Sequence, residues 1–120
     1  MYNIIPSGAS MIEEFKWLTQ VKKGMLELCC LNLLVDDAFY GYELARRLSE
    51  IPALVVPLGT VYPLLSRLHQ EGWLTSTLEP SPQGPARRKY RLAPDRRERL
   101  DEMNRQWRDI SQHVEQIISS

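Results

Sequence analysis

A chain of 120 residues with 43% apolar and 25% charged residues has an ordinary single-domain composition, and it is too short to enclose a deep catalytic cavity besides a core, which argues against an enzyme. Fifteen cations balance fifteen anions, so no global field draws the molecule to nucleic acid, yet the charge is segregated: Glu79 to Arg97 holds six cations and two anions, whereas Glu98 to the end holds three cations and five anions. No apolar run is long enough to cross a bilayer, and the start lacks the basic and apolar stretches of a signal peptide, so a cytoplasmic protein without a membrane role is expected.

In chain order, Met1 to Ala9 carries no regular pattern. Ser10 and Glu13 match a capping box, predicting a short helix to about Thr19 with Met11, Phe15 and Leu18 on one side. A second helix is predicted from Lys22 to Val35. Met25, Leu26, Leu28, Cys29, Cys30, Leu31, Leu33 and Leu34 make it apolar on nearly every side, the mark of a buried helix. A third runs from Gly41 to Ile51, stopped by Pro52. A fourth, Gly59 to Glu71, buries Val61, Leu64, Leu65 and Leu68, takes Pro63 in its first turn and ends at Gly72. Trp73 to Leu78 reads as a strand, Glu79 to Ala86 as a Pro/Gly-rich loop, and Arg87 to Leu92 as the returning strand. Strand alternation puts Arg87, Lys89 and Arg91 on one face and Arg88, Tyr90 and Leu92 on the other. After Pro94 a last helix carries Leu100, Met103, Trp107, Ile110, Val114 and Ile117 at alternating three- and four-residue steps, a heptad seam that demands a partner.

A helix followed at once by a β-hairpin with a basic flank, with a positioning helix before it, is the layout of a winged helix-turn-helix. The fourth helix exposes Thr60, Tyr62, Pro63, Ser66, Arg67 and Gln70, side chains able to contact bases or phosphates in a major groove. Arg87, Arg88 and Lys89 fit phosphates beside it. The expected architecture is mainly α with a small β-hairpin: residues 1–21 an N-terminal extension, 22–93 a winged helix-turn-helix, 94–120 a C-terminal dimerisation helix. Trp107, at the centre of the seam, suits either a dimer anchor or a surface on which a small aromatic effector stacks. His69 and His113 lack partners at ligand spacing, and no nucleophile–base pattern or phosphate loop is present, so neither metal nor cofactor is expected. Cys29 and Cys30 are adjacent and point about 100° apart on a helix, unsuited to pairing with each other. They read as buried hydrophobes, with a thiol sensor as one alternative function. A winged helix that binds only protein is another.

Four motifs in order carry a resemblance. Lys23 to Leu28 (KGMLEL), Tyr40 to Leu44 (YGYEL), Gly59 to Leu74 (GTVYPLLSRLHQEGWL) and Arg87 to Leu92 (RRKYRL) resemble the PadR family of bacterial transcriptional regulators over roughly Lys23 to Ile118. The short C-terminal segment is similar to the small-subunit type. The resemblance implies a homodimeric repressor whose C-terminal helices associate and which meets a palindromic operator in double-stranded DNA through Tyr42, Thr60, Tyr62, Ser66, Arg67 and the wing cations. The stretch before Lys22 is longer than in minimal members, and His69 stands where the family pattern has an acidic residue.

Overall fold

The computed structural model describes the backbone of residues 8–54 and 56–120, and side chains from Lys16 onward except at positions 55 and 58. The described elements are α1 (Gly8–Leu33), β1 (Phe39–Tyr40), α2 (Gly41–Ser49), α3 (Leu58–Gln70), β2 (Leu74–Ser81), β3 (Gly84–Leu92), a short 3-10 turn (Pro94–Arg96) and α4 (Arg97–Ser119). The two helices expected before Asp36 are one: α1 passes through Thr19, Gln20 and Val21 without a break. No Gly or Pro interrupts it there, and adding a residue to an existing helix costs far less than starting a new one. The capping box at Ser10 and Glu13 and the side chains of Met11 and Phe15 lie outside the described side chains, but the helix already includes Gly8 and Ala9.

The core is built from leucine on leucine. Leu31 from α1 and Leu34 just beyond its end, Leu44 and Leu48 from α2, Leu65 and Leu68 from α3 and Leu100 from α4 are all fully buried. Each contributes about 1.5–3 kcal/mol relative to exposure. Among the described residues no polar or charged residue is buried with them. The all-round apolar character of α1 therefore reflects contact with several neighbours. Leu92 N–H donates to the Leu34 carbonyl at 2.9 Å, which hooks the end of the sheet to the exit of α1.

α2 starts where the Tyr40 N–H donates to Glu43 Oε1 at 2.9 Å, and it ends at Ser49, three residues before Pro52. Pro52 is thus not its terminator. Pro63 falls in the second turn of α3, not the first, because the helix opens at Leu58. It removes the bond to the Gly59 carbonyl, a cost tolerated near the exposed end of the helix. α3 closes in a Schellman arrangement: Trp73 N–H donates to the Leu68 carbonyl at 2.9 Å, and Gly72 N–H to the His69 carbonyl at 3.2 Å. Gly72 carries φ +85, and a Cβ there would stand 2.9 Å from Arg96 Nη2. The arginine tip can swing aside, so the backbone sets the cost. Gly72→Ala is expected to lose about 1–2 kcal/mol, read as a lowered denaturation midpoint at unchanged slope.

The hairpin is longer than the sequence pattern suggested. β2 and β3 pair from Leu74↔Leu92 to Ser81↔Gly84, with an irregularity between Glu79 and Ser81. The stretch expected as loop, Glu79 to Ala86, is mostly strand. β2 lies at the edge of a sheet ordered β1-β3-β2, and Pro80 falls at the irregularity between Glu79 and Ser81, where a missing N–H is tolerated. β1 was not foreseen. Its two residues pair antiparallel with the centre of β3, Phe39↔Tyr90 and Tyr40↔Lys89.

Candidate nucleic-acid interface

The buried stripe of α3 leaves Gly59, Pro63, Ser66 and Gln70 on its opposite side at 100° per residue. Tyr62 and His69 flank that side towards the hairpin; Thr60 and Arg67 flank it towards α1. The sequence-derived set on α3 therefore divides. Thr60, Tyr62, Ser66 and Arg67 are all solvent-exposed, but they do not present as one row.

Tyr62 is brought to Tyr42 and the wing. The start of α2 approaches so closely that a Cβ on Gly41 would stand 2.6 Å from the Tyr62 ring. Gly41 is buried, and any side chain there must displace the tyrosine. Tyr40, Gly41, Tyr42, Tyr62, Arg87, Arg88 and Tyr90 together line a recess of about 210 Å³ between α2, α3 and β3.

The wing cations are held by aromatic faces. Tyr40 and Tyr42 stack with centroids 5.7 Å apart and planes 5° apart. The Arg87 guanidinium lies 5.2 Å from the Tyr40 centroid and 5.6 Å from that of Tyr42, and Lys89 Nζ lies 5.0 Å from Tyr40. Contacts of this kind contribute about 0.5–1 kcal/mol each at exposed sites. They keep two positive charges together without neutralising them. Tyr40 Oη donates to Glu79 Oε2, and that hydrogen bond, followed by burial, pushes the phenol above its ordinary pKa. It stays protonated and ties β1 to the far strand of the wing. Arg88 leaves from the other face, as strand alternation predicted. Its Nη1 donates to Ser76 Oγ at 3.1 Å, Ser76 meets His69 Nε2 at 3.2 Å, and the Tyr90 ring stands edge-on to His69. His69 is therefore part of the α3–wing contact.

Arg67 is placed differently from the other cations. Its Nη2 donates to Glu27 Oε2 and its Nη1 to Glu71 Oε1, both at 3.2 Å, so it clamps α3 to α1. The hydrogen bond to Glu27 leads the causes that raise its pKa. Sequence reasoning missed this role, and it missed Tyr40 and Glu79. The Tyr40-Gly41-Tyr42 spacing was legible; the register placing Arg87 and Lys89 over those rings was not.

The seam of α4 divides too. Leu100 is fully buried in the core of the chain, and Met103 packs against the same core. Asn32 and Asn104 exchange reciprocal amide hydrogen bonds at 2.9 and 2.8 Å, fixing α4 on α1 at that level. Beyond it Trp107, Ile110, Val114 and Ile117 are exposed. On α1 Trp17, Leu18 and Val21 are exposed as well.

Cys30 is fully buried, and burial, assisted by Glu27 and Cys29, pushes its thiol up to about 12; burial also raises Cys29. The thiolate fraction of Cys30 at neutral pH is then about a thousandfold below that of a free cysteine. Alkylation of Cys30 in the folded protein is expected to be far slower than in urea, since the thiol is both buried and held protonated, read by mass spectrometry after timed quenching. Among the described residues no group of His, Cys, Asp or Glu is arranged to hold a metal, and no helix is long and apolar enough to cross a membrane.

The family model described as the transcriptional regulator PadR-like family matches residues 30–102. A transcriptional regulator of Mycobacterium tuberculosis is 32% identical over 97 residues, which cover 81% of this chain and 89% of that one. Among solved structures, a Streptococcus transcriptional regulator is 40% identical with a TM-score of 0.70, covering 82% of this chain and 96% of its own. A PadR-like transcriptional regulator from Bacillus cereus is 34% identical with a TM-score of 0.73, over 84% of this chain and 98% of its own.

Proposed function

The chain belongs to the PadR-like family of transcriptional regulators, and from that premise we propose that it is a cytoplasmic homodimeric repressor that binds a palindromic operator in double-stranded DNA. The observation that carries this reading is the recess where Tyr42 and Tyr62 meet Arg87 and Arg88 beside the open side of α3. α3 enters a major groove and reads base edges through Tyr62 and Ser66, with Thr60 at its start. Tyr42, Arg87, Arg88 and Lys89 hold the phosphates alongside. Arg67 reaches a phosphate only by giving up Glu27 or Glu71, so its contribution is the smallest of the set.

Two subunits associate through the exposed part of the α4 seam, Trp107, Ile110, Val114 and Ile117, with the apolar face of α1 extending the contact. The two α3 helices then meet successive major grooves about one helical turn apart. A small aromatic effector stacks on Trp107 between the subunits and shifts the population away from the DNA-competent spacing. Trp107→Ala tests that step: an unaltered response to effector together with unaltered dimerisation would remove it.

The function itself is tested by fluorescence anisotropy of labelled DNA from the gene's own upstream region, titrated at several salt concentrations beside a scrambled duplex. Saturable binding that exceeds the control and falls steeply with salt supports an operator-binding regulator. Equal binding to both duplexes counts against a site in that region.

A further inference from the structure

A cleft between α1, the α2–α3 connection and the first turns of α3 has no part in the reading above. Its volume is about 650 Å³, within the range of small-ligand sites. Leu26, Leu54 and Leu64 form its floor, and Val56, Pro57 and Pro63 its sides; every apolar group among its lining residues is aliphatic. Gly59 leaves space open, since a Cβ there would meet nothing within 4 Å. Lys22 and Lys23 stand at the mouth, and neither makes an ion pair among the described residues. Arg67 also borders the cleft, with its guanidinium already occupied by Glu27 and Glu71. No carboxylate is among the lining residues.

The cleft is separate from the surfaces assigned to a second subunit. At 100° per residue, Thr19, Lys23 and Leu26 lie on the side of α1 opposite Trp17 and Val21, with Lys22 between the two sides, next to Leu18. Association through Trp17 and Val21 leaves the Thr19, Lys23 and Leu26 side of the cleft open. Trp107 is not among its lining residues.

We propose that each subunit binds an aliphatic carboxylate here, its chain on the leucine and proline floor and its head group at Lys22 and Lys23. The absence of any aromatic ring among the lining residues favours a saturated chain over a flat aromatic one, which stacks where aromatic faces are offered. Two lysines on the lining, with no carboxylate among the lining residues and the nearest one, Glu27, paired with Arg67, favour an anion over a neutral or cationic head. The site requires neither DNA nor a dimer, so it stands or falls independently of the operator reading.

Decanoate titrated calorimetrically into the protein tests the assignment, with decanol as the neutral control and the variant Lys22→Gln/Lys23→Gln, at one half-buried and one exposed position, as the second arm. The expected result is saturable binding of one decanoate per chain. Both decanol with the parent protein and decanoate with the double variant should bind roughly tenfold more weakly, the effect of losing two solvent-accessible charge contacts. Amide NMR shifts on adding decanoate should cluster at Leu26, Leu54, Thr60 and Leu64. Absence of saturable decanoate binding, equal affinity for decanol, an unaffected double variant with native circular dichroism, or shifts gathered around Trp107 and Ile110 would each overturn the assignment.

Discussion

Replacing Ile110 and Val114 together with aspartate is expected to give a folded monomer. Both side chains are exposed in the isolated subunit, so its core loses nothing. In the proposed dimer each lies between helices, and burying a side chain of this size contributes about 1.5–3 kcal/mol. An aspartate there also brings a charge into an apolar contact, which costs more. With two positions on each of two subunits, the summed effect exceeds about 5 kcal/mol, or more than a thousandfold in the dimerisation constant. Light scattering during gel filtration should show the mass of one chain, 13.9 kDa, with circular dichroism unchanged. Operator affinity should fall by roughly two to four orders of magnitude, because the second half-site then gains nothing from the first. Leu100→Asp makes the contrast. That residue is wholly enclosed in its own subunit, so the substitution should unfold the chain. A double variant that remains a dimer would place association on another surface.

The contrast between Ile110 and Leu100 also shows what the sequence can and cannot convey. A three-and-four periodicity marks one stripe along a helix, and that stripe was fully legible in α4. Periodicity is blind to what lies opposite. The first part of the stripe meets the core through Leu100 and Met103, and the part from Trp107 onward is left open; both obey the same spacing. The buried face of α3 and the glycine that ends it were legible for a related reason, since helix periodicity and a positive φ at Gly72 are local properties. Three features were not local. β1 consists of two residues and exists only because β3 runs beside it. The wing extends into a proline-rich stretch because β2 is an edge strand, which composition alone does not disclose. Arg67 looks on the sequence like any other exposed cation of α3, and only the packing of α1 brings Glu27 within 3.2 Å of it.

The same distinction governs the wing. Replacing Arg87, Arg88 and Lys89 with alanine is expected to weaken operator binding about a hundredfold at ~0.15 M salt. Each phosphate contact carries a log–log salt slope of ~−0.9, so three contacts amount to roughly two decades relative to 1 M salt. The slope itself should become shallower by about two to three. The sites are exposed or half-buried and outside the core, so stability should change by less than about 1 kcal/mol. Tyr40→Ala separates the charges from their arrangement. It leaves all three cations in place but removes the face under Arg87 and Lys89 and the hydrogen bond to Glu79. If phosphate contact depends on holding those two charges together, Tyr40→Ala should lose affinity with a smaller change in salt slope, and Tyr40→Phe should retain the cation contacts while losing only the Glu79 tie. Equal losses in all three proteins would show that the tyrosine supports the fold of the wing as a whole. An unchanged salt slope in the triple variant would remove the wing from the DNA interface and leave binding to α3 and Tyr42.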